Sequence, residues 1–463
     1  MKHLCHLFMF SVALVVGTSS AQGAAVVLTT LLGSKETPPN ASTATGSAGV
    51  GLINNNTLDV SETFAGLIGG PATAAHIHCC APPGVAAPVA VPLPNFPAAT
   101  SGQYSNSFDL SMAGTYTAAF IAAHGGTVAS AQAAFIAALK TGQTYVNIHD
   151  ATYPGGEIRG QLEATNTHDF NLDGRSDILW WNSMSGQVVE WLVNGASVIA
   201  GGSPGSVPSP WTIVGQRDFN SDGFADLLWR NGTTGQLVIW FLTGPSVIGG
   251  GSPGGAASPW FVAGTGDFNG DGFGDVLWYN SMTGQAVIWL LRTSVIGGGS
   301  PGGAASPWNV AGTGDFNGDG FTDILWWNSS SGQLVIWLLN GTSVIGGGSL
   351  GSAAPPWQPF GTGDFNGDGF ADVLWLNTST GQAVVWFVNG TSVIGGGSPG
   401  FAPMPWTIAE TGDFNGDSKS DILWYNTTTG QLVVWLLDGA SVIGGGSPGA
   451  AASPWVLQGM NAD

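Results

Sequence analysis

From residue 169 onwards, the chain repeats one pattern of apolar and polar positions. In each copy, an apolar strand such as 226–231 is followed by a polar turn ending in glycine and by a second apolar strand such as 236–242. A glycine-rich segment and a strand that opens with Pro-Trp complete the unit. Four short strands in a unit of about 49 residues are typical of a β-propeller blade or of another repeat array.

The two ends of the repeat region favour a closed ring over a linear solenoid. Segment 454–459 is one more copy of the Pro-Trp strand with no blade after it, and the first repeat has no such strand before Asp169. The additional strand can therefore complete the first blade, whereas an open array would leave a sheet edge exposed. We predict a six-bladed β-propeller over residues 169–463, closed by the C-terminal strand. A seventh blade would need a contribution from the N-terminal domain.

Residues 25–163 show no repeat and a different pattern. Short apolar runs at 26–28 and 49–53, and alternating runs at 145–149 and 157–162, predict strands separated by turn residues. The alanine-rich segment 129–139 has helical spacing and predicts one short helix. We expect an antiparallel β-sandwich here. The predicted fold class is therefore all-β, with a polar linker at 164–168 between the two domains.

Residues 1–21 have the features of a secretory signal peptide. Lys2 gives a positive start, 7–16 are apolar, and Ser19-Ser20-Ala21 form a small-residue cleavage site. The apolar run is too short to span a membrane, and no later stretch is long enough. We expect a secreted or cell-surface protein in an oxidising, calcium-rich compartment.

Each repeat begins with a nine-residue loop, such as 315–323, that carries Asp or Asn at positions 1, 3, 5 and 9 and usually glycine at position 6. Hard cations such as Ca²⁺ take six to eight oxygen ligands, which alternate side chains of a tight loop can supply. The glycine permits a sharp turn. The loops start at residues 169, 218, 267, 315, 364 and 413, which are 49, 49, 48, 49 and 49 residues apart.

We predict about six structural calcium sites. Their ligands are Asp169, Asn171, Asp173, Asp177, Asp218, Asn220, Asp222, Asp226, Asp267, Asn269, Asp271, Asp275, Asp315, Asn317, Asp319, Asp323, Asp364, Asn366, Asp368, Asp372, Asp413, Asn415, Asp417 and Asp421.

The loops are not EF-hands, because position 12 is tryptophan rather than glutamate and a strand rather than a helix follows. The alternative is a set of metal-free Asx turns, but turn chemistry alone does not require an Asp at position 9. We expect the last loop to bind most weakly, because Ser418 replaces the glycine at position 6 and Lys419 adds a positive charge.

The charge pattern supports metal binding and argues against nucleic acid. Charged residues make up 8% of the chain and the formal net charge is −20. Three aspartates in each of six loops supply 18 of the 29 acidic residues. Only nine Lys and Arg are present, whereas a nucleic-acid surface needs many.

Three histidines of the N-terminal domain form a second candidate metal site. His76 and His78 lie two apart and face one side of a strand, and His149 lies on a neighbouring predicted strand. Three imidazoles could hold Zn²⁺ or Cu²⁺. The alternative is that they hydrogen-bond loops. Cys79 and Cys80 could form a vicinal disulfide, link two chains, add thiolates beside the histidines, or have a buried structural role.

All 20 tryptophans lie between Trp180 and Trp455. Eighteen of them occupy three recurring positions, which Trp278, Trp289 and Trp308 represent in one repeat. We predict packing between adjacent sheets for the two strand positions. At the Pro-Trp position, core packing and a sugar-stacking surface both remain open.

The N-terminal segment resembles the CHRD domain family. The resemblance depends on residues 33–39 (GSKETPP), 75–78 (AHIH), 145–149 (YVNIH) and 155–162 (GGEIRGQL). The family implies an extracellular module with no established activity.

The repeats resemble FG-GAP or VCBS repeats, the blade type of integrin α-subunit heads. The six loops carry this resemblance, most clearly at Gly314–Gly320, and it covers about 295 residues. It implies a calcium-stabilised propeller used for adhesion or ligand recognition.

Two classes of function follow. The first is a secreted protein that binds a glycan, a protein or a matrix component. The second is an extracellular glycan-active enzyme with the propeller as scaffold. We favour the non-enzyme, because outside the loops the repeats offer few acidic residues that could act in catalysis. Glu190, which stands where other repeats carry Ile or Val, is the one catalytic candidate.

Overall fold

The computed structural model describes residues 24–53, 56–81, 85–140, 143–162, 168–171, 173–292, 294–417 and 419–459. The predicted signal peptide and all of the predicted linker except His168 lie outside these ranges. Within them, no helix is long and apolar enough to cross a membrane.

The N-terminal domain contains eight strands and two α-helices. The strands are β1 (Ala24–Leu32), β2 (Thr45–Ile53), β3 (Thr57–Ala65), β4 (Ala74–Cys79), β5 (Val89–Pro92), β6 (Gly102–Asp109), β7 (Thr144–His149) and β8 (Ile158–Leu162), and the helices are α1 (Ala118–Ala123) and α2 (Val128–Lys140). Two short 3₁₀ helices, Gly33–Lys35 and Ala113–Thr115, lie in connections. The strands form one antiparallel sheet in the order β5-β4-β7-β8-β1-β2-β3-β6.

The sheet consists of two four-stranded halves that share one core. Strands β1 and β8 pair only at Leu32 and Arg159, so a single register pair joins the halves. Val50 and Val60 of one half and Ile77 of the other belong to the same buried cluster. The predicted sandwich is thus an antiparallel domain with one shared core, in which hydrogen bonds run through all eight strands.

The predicted strands and the helix at 129–139 are confirmed by β1, β2, β7, β8 and α2. Helix α1 was not predicted. It begins at the cap Thr117, whose side chain accepts a hydrogen bond from the Phe120 amide. Its six residues are too few for sequence periodicity to reveal.

The C-terminal domain is a six-bladed β-propeller. Its strands are β9 (Ile178–Asn182), β10 (Gln187–Asn194), β11 (Ser197–Ser206), β12 (Trp211–Arg217), β13 (Asp226–Asn231), β14 (Gln236–Thr243), β15 (Ser246–Gly255), β16 (Trp260–Gly266), β17 (Asp275–Asn280), β18 (Gln285–Leu291), β19 (Val295–Gly303), β20 (Trp308–Gly314), β21 (Asp323–Asn328), β22 (Gln333–Asn340), β23 (Ser343–Ser352), β24 (Trp357–Gly363), β25 (Asp372–Asn377), β26 (Gln382–Asn389), β27 (Ser392–Phe401), β28 (Trp406–Gly412), β29 (Asp421–Asn426), β30 (Gln431–Asp438), β31 (Ser441–Ala450) and β32 (Trp455–Gln458).

Strand β32 closes the ring, as predicted. It pairs antiparallel with β9, with Trp455 opposite Asn182, and so completes a sheet of order β11-β10-β9-β32. The other five sheets each consist of four consecutive strands, from β12–β15 to β28–β31. The first blade therefore combines strands from the two ends of the repeat region, and no seventh blade forms among the described residues.

Tryptophan packing joins neighbouring sheets. The first tryptophan of each repeat, represented by Trp278, is at most 1% exposed, and Trp278 shares a buried cluster with Leu228 and Leu237 of the preceding blade. Within its own blade, the Trp278 ring lies 5.2 Å from the Trp289 ring. This confirms core packing at the strand positions. The tryptophans of the Pro-Trp position, such as Trp308, are only partly buried.

The glycine run of each repeat forms the outermost strand. In β15, a side chain on Gly250 would place its Cβ 2.1 Å from the carbonyl oxygen of Ile239 on β14, and Gly250 has a φ of 147°. Only glycine permits this close approach. The run is therefore a strand with an exposed face rather than a flexible linker.

Candidate metal sites

The side chains at the first three ligand positions of each acidic loop, positions 1, 3 and 5, accept hydrogen bonds from backbone amides of their own loop. In the loop 315–323, Asp315 Oδ2 accepts a hydrogen bond from the Gly320 amide at 2.7 Å, and Asn317 Oδ1 accepts one from the Asp319 amide at 3.1 Å. Gly320 has a φ of 84°. The glycines at position 6 of the other four loops that carry one also have a left-handed backbone conformation. The predicted sharp turn at position 6 is therefore present in the first five loops, whereas Ser418 lies outside the described residues.

The aspartate at position 9 has a different role from the other three. Asp323 Oδ2 accepts a hydrogen bond from the Phe316 amide at 3.0 Å, and Oδ1 accepts one from the Leu339 amide on β22 at 2.8 Å. The same pair of bonds occurs in all six repeats, and each position-9 aspartate is 0% exposed. The aspartate at position 9 therefore connects the loop to the second strand that follows it, which is β22 for Asp323. The spacing alone did not indicate this contact.

Burial and mutual repulsion make these carboxylates weak acids. Burial, with added repulsion from Asp169 and Asp173, raises the pKa of Asp177 to about 9, although the hydrogen bonds from backbone amides oppose the shift. Burial raises the pKa of Asp323 to about 8, with added repulsion from the loop's other aspartates. At position 1, burial with repulsion from Asp271 raises the pKa of Asp267 to about 6. A cation among these groups would favour their charged forms.

The donor set fits a hard cation. Each carboxylate oxygen has two lone pairs, and each backbone N–H bond uses only one of them. Asp315, Asn317, Asp319 and Asp323 thus retain oxygen donors of the type that Ca²⁺ prefers. The three aspartates of a loop do not meet as tightly as the histidines described below, because position 9 is turned onto backbone amides.

The six loops are linked to one another in a circle. The amide at position 8 of each loop donates to the carbonyl oxygen at position 1 of the preceding loop. The donor and acceptor pairs are Ala225 and Asp169, Gly274 and Asp218, Thr322 and Asp267, Ala371 and Asp315, Ser420 and Asp364, and Ser176 and Asp413. The last pair connects the sixth loop to the first at 2.7 Å. All 24 predicted ligands therefore lie in one ring at one end of the propeller.

Two buried ionisable residues meet where the ring closes. His168 Nδ1 lies 2.9 Å from Glu410 Oε1, and the two side chains are 1% and 2% exposed. Sequence analysis placed His168 in the linker, but the structure buries it in the propeller. Glu410 stands where the other five blades carry Gly215, Gly264, Gly312, Gly361 and Gly459.

Glu190 is also buried. It is 0% exposed on β10, and burial raises its pKa to about 8. It lies on the face where the other blades place Ile or Val, as at Ile239. A substrate in solution cannot reach this carboxyl group, so the single catalytic candidate of the sequence lies away from any accessible surface.

The structure brings the three predicted histidines together. His76 and His78 lie on β4, and His149 ends the adjacent strand β7, where it is opposite Ala74. One candidate nitrogen from each ring lies within 4.8 Å of the other two. His76 Nδ1 is 3.1 Å from His149 Nε2. Burial, reinforced by the neighbouring rings, lowers the pKa of His76 to about 4.

Backbone carbonyls orient two of these rings. His78 Nδ1 lies 2.7 Å from the Ala87 carbonyl oxygen, and His149 Nδ1 lies 3.0 Å from that of Pro154. A carbonyl accepts only, so both Nδ1 atoms carry the proton and both Nε2 atoms present lone pairs. His78 is 8% exposed, and its Nε2 has no hydrogen-bond partner among the described residues.

A stacked column connects the histidines to the other sequence motifs of the domain. The Tyr145 ring stacks on the His78 ring with centroids 4.6 Å apart. The Arg159 guanidinium carbon lies 3.4 Å from the centroid of the Tyr145 ring. Arg159 also donates to Thr37 Oγ1 at 2.9 Å. Burial raises the pKa of the nearby Glu36 to about 7, although Arg159 opposes the shift. The motifs 33–39, 75–78, 145–149 and 155–162 thus converge.

Two further features of this domain were open or missing in the sequence analysis. Cys79 and Cys80 form a vicinal disulfide directly after His78, which selects one of the alternatives considered. Glu62 lies on the core face of β3 between Val60 and Phe64, is 1% exposed, and has no hydrogen-bond partner for either oxygen among the described residues. Alternation along 57–65 could have placed Glu62 inward, because Leu58, Val60 and Phe64 share its parity.

Comparisons with known families match both parts of the chain. The CHRD domain model matches residues 27–162. The FG-GAP-like repeat model matches 169–229, 315–375 and 364–424, and the FG-GAP repeat model matches 258–291. No curated protein sequence matches the chain.

The solved structures that match the chain are distant from it in sequence. An auxiliary nutrient binding protein from Bacteroides thetaiotaomicron is 8% identical, with 88% of this chain and 87% of that chain covered and a TM-score of 0.36. A quinonprotein alcohol dehydrogenase-like protein from the same organism is 10% identical, with coverage of 94% and 90% and a TM-score of 0.35.

The dihydro-heme d1 dehydrogenase NirN is 14% identical with a TM-score of 0.32. The match covers 60% of this chain and only 56% of NirN. These structures include both binding proteins and enzymes, and at such scores they do not decide the function.

Proposed function

Because the chain joins a CHRD domain to FG-GAP-like repeats, we propose that it is a secreted calcium-binding protein whose propeller recognises an extracellular ligand. The observation that carries this proposal is the circle of six acidic loops at one end of the ring. Six equivalent oxygen-rich loops form a regular array, and neighbouring loops are in direct contact. Such an array suits a rigid recognition surface better than a single reaction centre.

Calcium would act structurally in this proposal. It would supply positive charge to the carboxylates at positions 1, 5 and 9 and to the Asn oxygen at position 3. Like charges on neighbouring carboxylates repel one another, and a bound cation offsets that repulsion. Extracellular calcium modules bind at about 10⁻⁴–10⁻³ M, so each filled site contributes roughly 1.4 kcal/mol at about 1 mM Ca²⁺ and the tighter value.

Counting bound calcium tests the metal part of the proposal. We expect about six Ca²⁺ per full-length chain by equilibrium dialysis and one fewer for Asp267→Asn. Asp59→Asn, which changes an aspartate of the N-terminal domain, is the matched control and should bind as the wild type does. A wild-type chain that binds no Ca²⁺ at millimolar concentration would contradict the proposal.

We propose export from the signal-like segment 1–21, which cell fractionation tests directly. The native protein should appear outside the cell with its N-terminus removed near Ala21. Recovery of the intact chain, including Met1, from the cytoplasm would contradict this part.

The recognition role is distinguished from catalysis by one panel of extracellular glycans and matrix proteins. We expect calcium-dependent binding without turnover, because Glu190 is 0% exposed and the loop carboxylates already hold backbone amides. The Pro-Trp tryptophans, which are partly exposed, are candidate stacking surfaces for sugars. Release of shortened glycans by the wild type would favour the enzyme instead. Binding to no member of the panel would remove the support for recognition.

A further inference from the structure

The histidine cluster of the N-terminal domain has a geometry that the propeller's proposed role does not use. Each of its three rings contributes a nitrogen to one point, at mutual distances within 4.8 Å. The strand pairing explains this convergence. His76 and His78 are two residues apart on β4, and His149 is diagonal to His76 on the paired strand β7, on the same face.

Two of the three nitrogen atoms that meet are acceptors. Ala87 and Pro154 carbonyls fix the protons of His78 and His149 on Nδ1, so both Nε2 atoms point lone pairs into the cluster. Metal-ligating histidines almost always donate their other N–H to a carbonyl or carboxylate in this way, which fixes the ring for coordination. A cluster built only to hydrogen-bond loops would not need to aim two lone pairs at a common point.

The environment disfavours the arrangement unless something binds there. His78 is 8% exposed and its Nε2 has no hydrogen-bond partner among the described residues. A buried polar atom without a partner destabilises the folded state. Only one proton can satisfy the 3.1 Å contact between His76 Nδ1 and His149 Nε2, and it does nothing for His78.

The donor set selects the kind of ion. Imidazole nitrogens suit Zn²⁺ and Cu²⁺, whereas Ca²⁺ and Mg²⁺ take oxygen ligands. His76 is partly exposed, so solvent or a partner's ligand atom can reach a fourth coordination position. Three histidines with one open position form a site that takes an exchangeable ligand.

We propose that His76, His78 and His149 form a transition-metal site for Zn²⁺ or Cu²⁺ with one open coordination position. The site is independent of the calcium loops, because it lies in the other domain and uses nitrogen rather than oxygen ligands. Tyr145 and Arg159 stack behind His78 and position its ring.

The test uses the full-length chain in millimolar Ca²⁺, so that the acidic loops are saturated. Titration with Zn²⁺ and with Cu²⁺ should give one tight site per chain, with Cu²⁺ the tighter of the two. His149→Gln and His76→Gln should each weaken that site by at least the 10–100-fold seen when an outer-shell partner is removed. Calcium binding should not change in either variant.

His124→Gln is the matched control. His124 lies in the same domain at the end of α1, and its Nδ1 hydrogen-bonds the Phe120 carbonyl oxygen, away from the cluster. This variant should keep the wild-type affinity. Equal Zn²⁺ binding by the wild type and by the His76→Gln/His149→Gln double variant would overturn the proposal, as would a wild-type chain with no tight site.

A spectroscopic measurement on the wild type covers the case in which the variants do not fold. The electron paramagnetic resonance spectrum of the Cu²⁺-loaded chain should show coupling to imidazole nitrogens. A spectrum with oxygen ligands alone would show that Cu²⁺ occupies the carboxylates, and the proposal would be wrong. Failure of calcium binding would leave this result unaffected, so the two proposals are tested separately.

Discussion

The two domains treat buried charge in opposite ways. The propeller collects its carboxylates in six equivalent loops at one end of the ring, where backbone amides and neighbouring loops surround them. The N-terminal domain places single charged groups within its fold, such as Glu62 on the core face of β3 and Arg159 against Tyr145. Because the propeller repeats its acidic loop six times, the loss of one loop carboxylate leaves five equivalent loops intact. Each buried ionisable group of the N-terminal domain occurs only once. The exceptions in the propeller, Glu190 and the His168–Glu410 pair, lie in its first blade or at its closing contact.

The largest effect is expected when the strand that closes the ring is removed. A chain ending after residue 454 lacks β32, so β9 becomes an unpaired inner edge. We expect the cooperative unfolding transition of the propeller to be lost in calorimetry. A chain ending after Gly459 keeps β32 and is the control. Equal melting of the two chains would show that the blades hold together without closure.

Calcium removal should separate the two domains. Six sites at roughly 1.4 kcal/mol each would contribute about 8 kcal/mol at about 1 mM Ca²⁺, which is comparable with the whole stability of a domain. For a chain kept free of Zn²⁺ and Cu²⁺, we expect a chelator to lower the melting temperature of the propeller and to leave that of the N-terminal domain unchanged. An unchanged propeller transition would reject a structural role for calcium.

Glu62→Leu should stabilise the N-terminal domain in a pH-dependent way. Burial raises the pKa of Glu62 from 4.5 to about 8 in the folded state. Below pH 4.5 both states are protonated and the carboxyl group costs nothing through ionisation. As pH rises from 4.5 to about 8, the unfolded state loses its proton while the folded state keeps it, so the wild type loses about 1.4 kcal/mol per pH unit. At pH 7 the free energy of unfolding of the variant should therefore exceed that of the wild type by about 3 kcal/mol, measured by urea denaturation.

Glu190→Ile provides the same experiment in the propeller, because burial raises that pKa to about 8 as well. Isoleucine is the residue at the equivalent position 239. The gain should again grow between pH 4.5 and about 8 and then level off. A gain independent of pH in either variant would show that packing rather than ionisation is responsible.

Asp323→Asn and Asp319→Asn should differ once calcium is removed. Both Asp323 oxygens accept backbone N–H bonds, and an amide offers only one acceptor, so one buried N–H loses its partner. We expect a loss of about 1–3 kcal/mol in chelator for Asp323→Asn and a smaller loss for Asp319→Asn, by chemical denaturation. Equal losses would mean that position 9 acts only through the cation.

The smallest effect concerns the sixth loop. Position 6 is left-handed at the described glycines, as at Gly320, and a non-glycine residue there costs about 1–2 kcal/mol. Ser418→Gly should tighten calcium binding at that loop by roughly fivefold or more, for about 1 kcal/mol. Gly320→Ser should weaken calcium binding at the fourth loop by a similar factor. A calcium titration in which Ser418→Gly weakens binding, or Gly320→Ser tightens it, would contradict this prediction.

Much of the fold followed from the sequence, and the reason is repetition. Six copies of one loop and strand pattern specify blade number and closure, because the additional Pro-Trp strand has only one unpaired place to go. The histidine cluster also followed in part, since residues two apart on a strand share a face. The position-9 contact was not predictable, because it joins residues 16 apart through the pairing of two strands. Nor was the burial of His168, whose partner Glu410 lies at the far end of the repeats.

The pairing of β32 with β9 also sets an order of assembly. In a chain that is synthesised from its N-terminus, five complete blades emerge before the strand that finishes the first one. Until β32 arrives, the first sheet presents an open edge to which a neighbouring chain could add a strand. The propeller therefore cannot close until its last strand has been synthesised, and a chaperone that shields β9 until then would prevent premature association.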